Sequence, residues 1–256
     1  MIDLHCHILP ALDDGPAVIE ESLAMARAAV ARGVSAIAAS PHVMETQAAT
    51  LTRERIEQGL AQFRERLRAE AIPLEVHLGA EYLLSCDFPH LAERLWPLAS
   101  LAGGRCVLVE IPMSYIPPYL EYSSLRPGLN NPDVEKEIPK LQPVLAHPER
   151  YAEVVRDLKK ARRFVEIGYL LQVNLGSLAG RYGRAVRKTA EKLIQEGLVS
   201  FAATDAHSAE ALGEVMDDGV KRLRKVAGEK LAELLLQGNP ERVLAGKAVE
   251  SPEDYL

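Results

Sequence analysis

The 256-residue sequence is short of several features that define large protein classes. It has no run of about 18 apolar residues, which excludes a membrane-spanning helix from our expectations. Its first residues, MIDLHCHILP, lack the basic end and apolar stretch of a signal peptide. Its cysteines, Cys6, Cys86 and Cys106, are too few and too scattered for a disulfide framework or a zinc knuckle. We therefore expect a reduced, cytoplasmic protein.

Positive charge is also scarce, with 30 Lys and Arg against 36 Asp and Glu, so that the net charge is −6. No Lys/Arg cluster with interleaved aromatic residues occurs, which argues against nucleic acid as a partner. The sequence also lacks a Cys followed six positions later by Arg, G-x-x-x-x-G-K-[ST], G-x-G-x-x-G and G-x-S-x-G. We interpret Ser177 as a turn residue rather than a nucleophile. With these motifs absent, we expect any catalysis by this protein to be metal-assisted.

The sequence contains a regular alternation of short apolar runs and amphipathic stretches. The apolar runs, rich in Val, Ile and Ala, predict seven strands: Ile2–Leu4, Val34–Ala39, Leu74–Leu78, Cys106–Val109, Pro143–Ala146, Leu170–Asn174 and Val199–Ala203. The intervening stretches have apolar residues at helical spacing, which predicts helices around 19–30, 56–67, 185–196 and 210–226. Weaker helix signals occur near Leu91 and Ala152.

Strand–helix alternation of this kind predicts parallel strands with right-handed crossovers. Seven units favour a closed, TIM-like barrel with its helices outside over an open sheet, forming a single domain over residues 1–256. One segment, from Pro112 to Pro132, is irregular and rich in proline and tyrosine. A segment of this length is either a functional loop or partly disordered.

The C-terminal ends of the predicted strands carry side chains able to bind metal. His5 and His7 follow the first strand, and the later strands are followed or closed by further histidines, carboxylates and one amide. These residues are Asp14, His42, Glu81, Glu110, His147, Asn174, Asp205 and His207. In a parallel barrel all these ends open onto one face, so we expect the side chains to meet in one cleft.

The His, Asp and Glu set without a thiolate favours borderline divalent metals such as Mn, Fe or Zn. Its size exceeds the three or four protein ligands that one catalytic metal needs, which indicates two or three ions. We interpret Asp13 as a turn or supporting residue, although chemistry alone does not decide between Asp13 and Asp14. Glu149 is either a supporting residue or a solvated surface glutamate. His77, inside a strand, and His90, at a helix start, are interpreted as structural.

These motifs resemble the polymerase-and-histidinol-phosphatase superfamily, and within it the bacterial metal-dependent protein-tyrosine phosphatases of capsule and exopolysaccharide clusters. The resemblance covers most of the chain. It is carried by MIDLHCHILP with DDGP at 13–16, SPH at 40–42, GAEY at 79–82, AHPERY at 146–151, QVNLGSLAG at 172–180 and TDAH at 204–207. The family fold is a distorted (β/α)7 barrel, in agreement with the strand count.

The resemblance implies three ions of manganese, with Fe or Zn as alternatives. His5, His7 and Asp205 would hold one ion, and Glu81 would bridge it to a second ion bound by Glu110 and His147. Asp14, His42 and His207 would hold the third. Arg150 would face the phosphate, because a guanidinium matches two phosphate oxygens. On this basis metal-activated hydroxide would attack the phosphorus of a phosphotyrosine.

The sequence departs from the family pattern in three places. Val43 replaces a second histidine, and Leu212 replaces an arginine that serves the phosphate. The segment between Glu110 and His147 is longer and more proline-rich than usual. Arg126, Arg181 or Arg184 could supply the missing guanidinium, or each is an ordinary surface arginine.

The resemblance implies a phosphotyrosine protein as substrate, in particular the tyrosine-rich tail of a kinase that regulates capsular or exopolysaccharide synthesis. Two alternatives remain at this point. One is a phosphatase of a small molecule such as histidinol phosphate or a sugar phosphate. The other is a non-catalytic, metal-binding regulatory module. No membrane insertion is expected, and the oligomeric state is left open.

Overall fold

A computed structural model describes residues 1–44, 51–84, 88–117, 120, 136 and 141–256. Parallel strands dominate this part of the chain. In order along the sequence they are β1 (Ile2–Cys6), β2 (Ala36–Ala39), β3 (His42–Val43), β4 (Glu75–His77), β5 (Glu81–Leu83), β6 (Cys106–Glu110), β7 (Gln142–Ala146), β8 (Leu170–Asn174) and β9 (Phe201–Ala203). They form one sheet of order β1-β2-β4 and another of order β3-β5-β6-β7-β8-β9.

Helices connect the strands. The α-helices are α1 (Ile19–Val30), α2 (Arg53–Ala69), α3 (Phe88–Arg94), α4 (Ala152–Arg156), α5 (Lys159–Glu166), α6 (Leu175–Ala179), α7 (Arg184–Gln195), α8 (Ala209–Glu233) and α9 (Asn239–Leu244). Short 3-10 turns cover Leu101–Gly103, Pro148–Arg150 and Pro252–Tyr255, and a π-helical turn covers Leu234–Gly238. Helix α8 extends past its predicted end and contains a break at Gly228, where φ is 75°.

The nine strands correspond to the seven that the sequence predicts, because two of them are interrupted. The predicted strand at 34–39 continues as β3 after a break at Ser40 and Pro41, and the one at 74–78 continues as β5. The breaks are matched to each other. A side chain at Gly79 would place its Cβ 2.8 Å from the Ala39 carbonyl oxygen, so only glycine allows this close approach. Glu81 N then donates to the Pro41 carbonyl at 3.0 Å.

The last strand returns to the first. Asp205 N donates to the His5 carbonyl at 2.8 Å, and His7 N donates to the Ala206 carbonyl at 3.0 Å. The strands also separate two apolar cores. The larger core lies between the strands and the helices, and a smaller one joins residues such as Leu4, Leu108 and Phe201. The expected parallel α/β architecture with helices outside is confirmed.

Two further expectations can be compared with the structure. Cys6 and Cys106 are buried free thiols, while Cys86 lies outside the described residues. Within the described ranges, every helix is too short or too polar to cross a bilayer. Of the irregular segment at 112–132, the structure describes only 112–117 and Leu120, so its predicted loop character lies largely outside the described residues.

Candidate metal centre

The predicted ligand residues meet at the C-terminal ends of the strands. His5 lies in β1, His42 begins β3, Glu81 begins β5 and Glu110 ends β6. Donor atoms approach one another within 4.8 Å in three sets: His5, His7 and Glu81; His42, Glu81 and Glu110; and His7, Asp14, His42 and His207. His147 directly follows β7, and Asp205 follows β9. Residues about 200 positions apart thus share one cluster.

Glu81 lies at the centre of this cluster and is fully buried. Its Oε2 atom lies 3.2 Å from His5 Nε2 and 3.1 Å from His42 Nδ1, while its Oε1 atom lies 3.2 Å from His147 Nε2. Two of these atoms, His42 Nδ1 and Glu81 Oε1, are buried and yet have no hydrogen-bond partner. A carboxylate whose two oxygens face different histidines is suited to bridging two cations.

The arrangement of His5 and His7 tests whether a metal fits. His5 Nδ1 lies 2.8 Å from Gln172 Oε1, and His7 Nδ1 lies 2.6 Å from Asp13 Oδ2. Each acceptor oxygen favours the tautomer that carries its proton on Nδ1, which leaves a lone pair on each Nε2. The two Nε2 atoms lie only 3.1 Å apart, and both face Glu81 and Asp205. Two facing lone pairs would repel, so the metal-free cluster requires a proton between these atoms, and the same position fits a cation that both imidazoles bind.

The other predicted ligands complete the same cluster. Glu110 lies between two histidines, with its oxygens 3.6 Å from His42 Nδ1 and 3.8 Å from His147 Nε2. Asp14 Oδ1 lies 3.3 Å from His207 Nε2 and 3.6 Å from His42 Nε2. Asp14 is exposed, whereas Glu110 is buried, so the cluster extends from the interior to the solvent-facing rim.

Asp13 has a different role from Asp14. Its carboxylate accepts hydrogen bonds from Gly15 N at 2.9 Å and His42 N at 3.0 Å, besides its contact with His7. It therefore fixes the orientation of one imidazole and the start of β3. Burial would raise the pKa of Asp13, but the bond and charge attraction to His7 and the backbone bonds from Gly15 and His42 together lower it. These contacts agree with the interpretation of Asp13 as a supporting residue, and the choice of Asp14 as the ligand stays a prediction.

Backbone strain accompanies two of these side chains. His147 has φ of 37° and Asp205 has φ of 53°, both in the left-handed region that disfavours residues with a Cβ. Such strain persists where surrounding structure holds the residue, and it is frequent at functional sites. Here the Asp205 backbone is held by the bond from its N to the His5 carbonyl.

The electrostatics of the cluster favour positive charge. Burial alone would lower the pKa of His5, but the carboxylates of Glu81 and Asp205 raise it to about 9. Burial would raise the pKa of Glu81, yet the surrounding histidines hold it well below its ordinary value. Glu110 has a raised pKa because of burial and its proximity to Glu81. Without a cation, these carboxylates retain protons on their imidazole partners.

Arg150 lies beside the cluster, at the end of the 3-10 turn that follows His147. Its Nη1 atom donates to Asp205 Oδ2 at 3.0 Å. The same Asp205 oxygen accepts from Asn174 Nδ2 at 2.6 Å, so that Asp205 Oδ1 remains directed towards His5 and His7. Arg150 lines a cavity of about 500 Å³. Other lining residues are Asp14, His42, Glu110, His147, Tyr182, Asp205 and His207.

A buried hydrogen-bond network supports the turn that carries Arg150, and the sequence did not identify it. Glu149 is fully buried and accepts from Asn174 N at 2.9 Å and Ser177 Oγ at 2.6 Å. The surface alternative for Glu149 is therefore wrong. The interpretation of Ser177 as a turn residue is also wrong, since Ser177 lies in α6. A clue was available in the sequence, because Gln172 and Asn174 alternate with apolar residues at a strand end.

The remaining residues that the sequence singled out differ in their position relative to the cavity. Leu212 is fully buried in the apolar core, while Arg181 lines the cavity and donates to Glu214 Oε2 at 3.0 Å. Arg184 is exposed and starts α7, and Arg126 lies outside the described residues. His77 is half-buried in β4, with Nε2 3.2 Å from Glu75 Oε1. His90 belongs to α3, but its side chain lies outside the described part.

A family model described as capsular polysaccharide synthesis, CpsB/CapC, matches residues 1–245. The chain belongs to the CpsB/CapC family. The resemblance noted from the motifs is thereby confirmed.

Individual CpsB/CapC relatives are similar over nearly their whole length. The tyrosine-protein phosphatase YwqE of Bacillus subtilis is 32% identical over 254 residues, covering 97% of this chain and 93% of the relative. The tyrosine-protein phosphatase CpsB of Streptococcus pneumoniae is 27% identical, covering 97% and 100%. A crystal structure from a study of YwqE and CpsB, described as unique metal-dependent tyrosine phosphatases, superposes with a TM-score of 0.84 and 31% identity. That match covers 98% of this chain and 97% of the crystallised one.

Proposed function

We propose that this protein is a metal-dependent tyrosine-protein phosphatase that acts through a single phosphoesterase domain spanning residues 1–256. Its substrate would be phosphotyrosine in a protein, specifically the tyrosine-rich tail of a kinase regulating capsular or exopolysaccharide synthesis. Support comes from the family and from relatives that are named tyrosine-protein phosphatases. The observation that carries the proposal is the position of buried Glu81 within 3.2 Å of His5, His42 and His147.

We further propose manganese as the metal and three ions as the number bound. His5, His7 and Asp205 would hold the first ion, with Glu81 shared with the second. Glu110 and His147 would complete the second, and Asp14, His42 and His207 would hold the third. Sets of donor atoms within 4.8 Å of one another join His5 and His7 with Glu81, and Asp14 with His42 and His207, and these sets contain no thiolate. His147 and Asp205 are assigned from single contacts, with His147 Nε2 3.2 Å from Glu81 Oε1 and Asp205 Oδ1 3.4 Å from His5 Nε2.

When bound, such ions supply an activated water as nucleophile and positive charge for the phosphoryl oxygens. The chain's own residues would provide the rest. Arg150 would bind the phosphate edge through N–H groups not used by Asp205, neutralising charge that develops during transfer. Asp13 and Gln172 would keep His7 and His5 in the required tautomers. A phenol leaving group, with a pKa of about 10, needs less proton donation than an aliphatic alcohol.

The test is hydrolysis by purified protein loaded with manganese. We expect turnover of p-nitrophenyl phosphate, and faster turnover of a phosphotyrosine peptide than of histidinol phosphate. A preference for histidinol phosphate or a sugar phosphate would replace the tyrosine phosphatase assignment with the small-molecule alternative. No turnover of any of these substrates, with metal bound stoichiometrically, would favour the regulatory module instead.

A further inference from the structure

The guanidinium of Arg150 has two different neighbours inside the cavity. Its Nη1 atom bonds to Asp205, and its Cζ atom lies 4.3 Å from the centre of the Tyr182 ring. The Arg150 side chain is 25% exposed, so it is accessible without being freely solvated. Among the described residues, Tyr182 is the aromatic residue whose ring lies against this guanidinium.

A cation within about 6 Å of an aromatic centroid is attracted by the negative face of the ring. A guanidinium carries five N–H donors around its edge, and one of them is used by Asp205. Contact through the guanidinium face therefore leaves edge donors for an anion. An arginine side chain otherwise loses rotamer freedom when it is ordered. A ring that restricts it beforehand lowers this cost at the moment of binding.

The local backbone fixes Tyr182 in this position. Gly180 and Gly183 flank it, with φ of 92° and 91°, values that strain residues bearing a Cβ. Gly176 lies beside the ring, where a Cβ would be in ordinary contact with Tyr182 Cε2 at 3.4 Å. Arg181 N donates to the Gly176 carbonyl at 3.0 Å, which ties this turn to α6.

We infer that Tyr182 is a positioning residue: its ring holds the Arg150 guanidinium against Asp205 with the free donor edge towards the substrate phosphate. The inference rests on the proposed phosphatase function and extends it by one residue outside the metal ligands. Tyr182 acts through Arg150 and makes no contribution of its own to phosphate binding. Its hydroxyl is dispensable for this role, whereas its aromatic face is required.

The experiment is a double-mutant cycle between Tyr182→Leu and Arg150→Ala in the manganese-loaded protein. The readouts are kcat/KM for p-nitrophenyl phosphate and the calorimetric Kd for inorganic phosphate. We expect Tyr182→Leu alone to weaken both by about 10-fold, in the range of a partly desolvated cation–π contact. In the Arg150→Ala background the same change should alter either quantity by less than about 2-fold, because its target is gone. Tyr182→Phe should restore most of the phosphate affinity.

Equal effects of Tyr182→Leu in both backgrounds would overturn the inference, as would a loss in Tyr182→Phe as large as that in Tyr182→Leu. Thermal unfolding and bound manganese, measured for each variant, identify a loss caused by misfolding or metal release, which would also count against it. Arg184→Ala, an exposed change nearby in the chain, is the matched control. A wild-type protein that binds phosphate but hydrolyses no phosphate ester would contradict the proposed function, while the phosphate Kd cycle would still decide the role of Tyr182.

Discussion

The two ends of the inner strand surface differ in chemistry although they share the same strands. In β6, Cys106 and Leu108 belong to the smaller apolar core, and Glu110, two residues further, belongs to the candidate metal centre. In β8, Leu170 packs against the same core, while Gln172 contacts His5. Alternate residues of a strand point to one side. A single strand face thus changes from apolar to polar along its length.

This difference separates the residues that stabilise the fold from those that carry its chemistry. The apolar end gains free energy from burial, at about 25 cal/mol per Å². The polar end buries carboxylates and imidazoles, which is unfavourable unless they are paired or bind a cation. Substitutions at the two ends should therefore have opposite consequences for stability and activity.

The largest expected effect is at the polar end. His5→Ala or Asp205→Ala removes one of the ligands proposed for the first ion. Asp205 Oδ1 lies 3.4 Å from both His5 Nε2 and His7 Nε2, so each change disrupts the proposed site at its centre. Changes in residues that merely support ligands typically cost 10–100-fold. We therefore expect less than about 1% of wild-type kcat/KM for p-nitrophenyl phosphate, with thermal unfolding still cooperative.

The matched control for these substitutions is His77→Ala. His77 is a half-buried strand histidine whose Nε2 contacts Glu75 rather than the cluster. It should retain wild-type turnover and manganese content, measured by atomic emission. Near-normal turnover in both His5→Ala and Asp205→Ala would rule out the metal assignment.

Strand β6 allows one substitution at each end to be compared within a single strand. Leu108→Ala should destabilise the protein by about 2–5 kcal/mol, through lost burial and a cavity, while the folded fraction keeps its kcat. Glu110→Gln should abolish most turnover but stabilise the metal-free protein, because burial and Glu81 already raise the pKa of this carboxyl. Urea unfolding after chelation, combined with kinetics at saturating manganese, measures both. Parallel losses of stability and kcat in the two variants would contradict the division.

The fold and most of the candidate centre were predictable because each depends on short-range patterns. The apolar runs mark strands, and the histidines and carboxylates directly follow them in sequence. The interruption at Ser40 and Pro41 was not predictable, since it depends on Gly79 approaching the backbone of another strand. Sequence patterns describe one segment at a time, and this contact joins two.

The network around Glu149 illustrates the same limit. A glutamate in a Pro-Glu-Arg turn is ordinarily exposed, and its burial follows from the packing of β8 and α7 against that turn. Ser177 and the Asn174 amide then become its hydrogen-bond donors. The position of Tyr182 over Arg150 likewise depends on two turns meeting across the cavity.

A smaller effect is expected from metal removal and its dependence on pH. In the metal-free protein, the carboxylates of Glu81 and Asp205 raise the pKa of His5 from 6.5 to about 9, against the lowering caused by burial. The folded state therefore holds this proton more tightly than the unfolded state. Its stabilisation is complete below pH 6.5 and is lost as pH rises through about 9. Chelated protein should lose thermal stability across that window.

Manganese should remove most of this dependence, because the cation replaces the proton among the carboxylates. Loading at about 100 times Kd should add roughly 2.7 kcal/mol of stability. Calorimetric unfolding at several pH values, with and without chelator, measures both effects. A chelated protein whose Tm is constant from pH 6.5 to 9 would show that the cluster lacks the negative charge assigned to it.

The smallest expected effect is that of Glu149→Gln, at the boundary between the two ends. Burial raises the pKa of Glu149 despite its bonds from Ser177 and Asn174, and its Oε2 atom has no hydrogen-bond partner. The folded state thus favours the protonated form, and stability falls as pH rises above the ordinary range of the carboxyl. Gln keeps an acceptor for both donors and carries no charge. Its stability relative to wild type should therefore increase from pH 4 to pH 7, by less than about 1 kcal/mol.

Glu149→Ala provides the contrast, because it leaves the Ser177 hydroxyl and the backbone N–H of Asn174 without their acceptor. That variant should lose about 1–3 kcal/mol, the cost of buried donors left unsatisfied. It should also raise KM for p-nitrophenyl phosphate, since Arg150 follows Glu149 directly in the supported turn. Denaturant unfolding at pH 4 and pH 7 tests whether the Gln variant is more stable than the Ala variant. A Gln variant as unstable as the Ala variant would mean that the charge of Glu149, rather than its acceptor oxygen, holds the turn beside the metal centre.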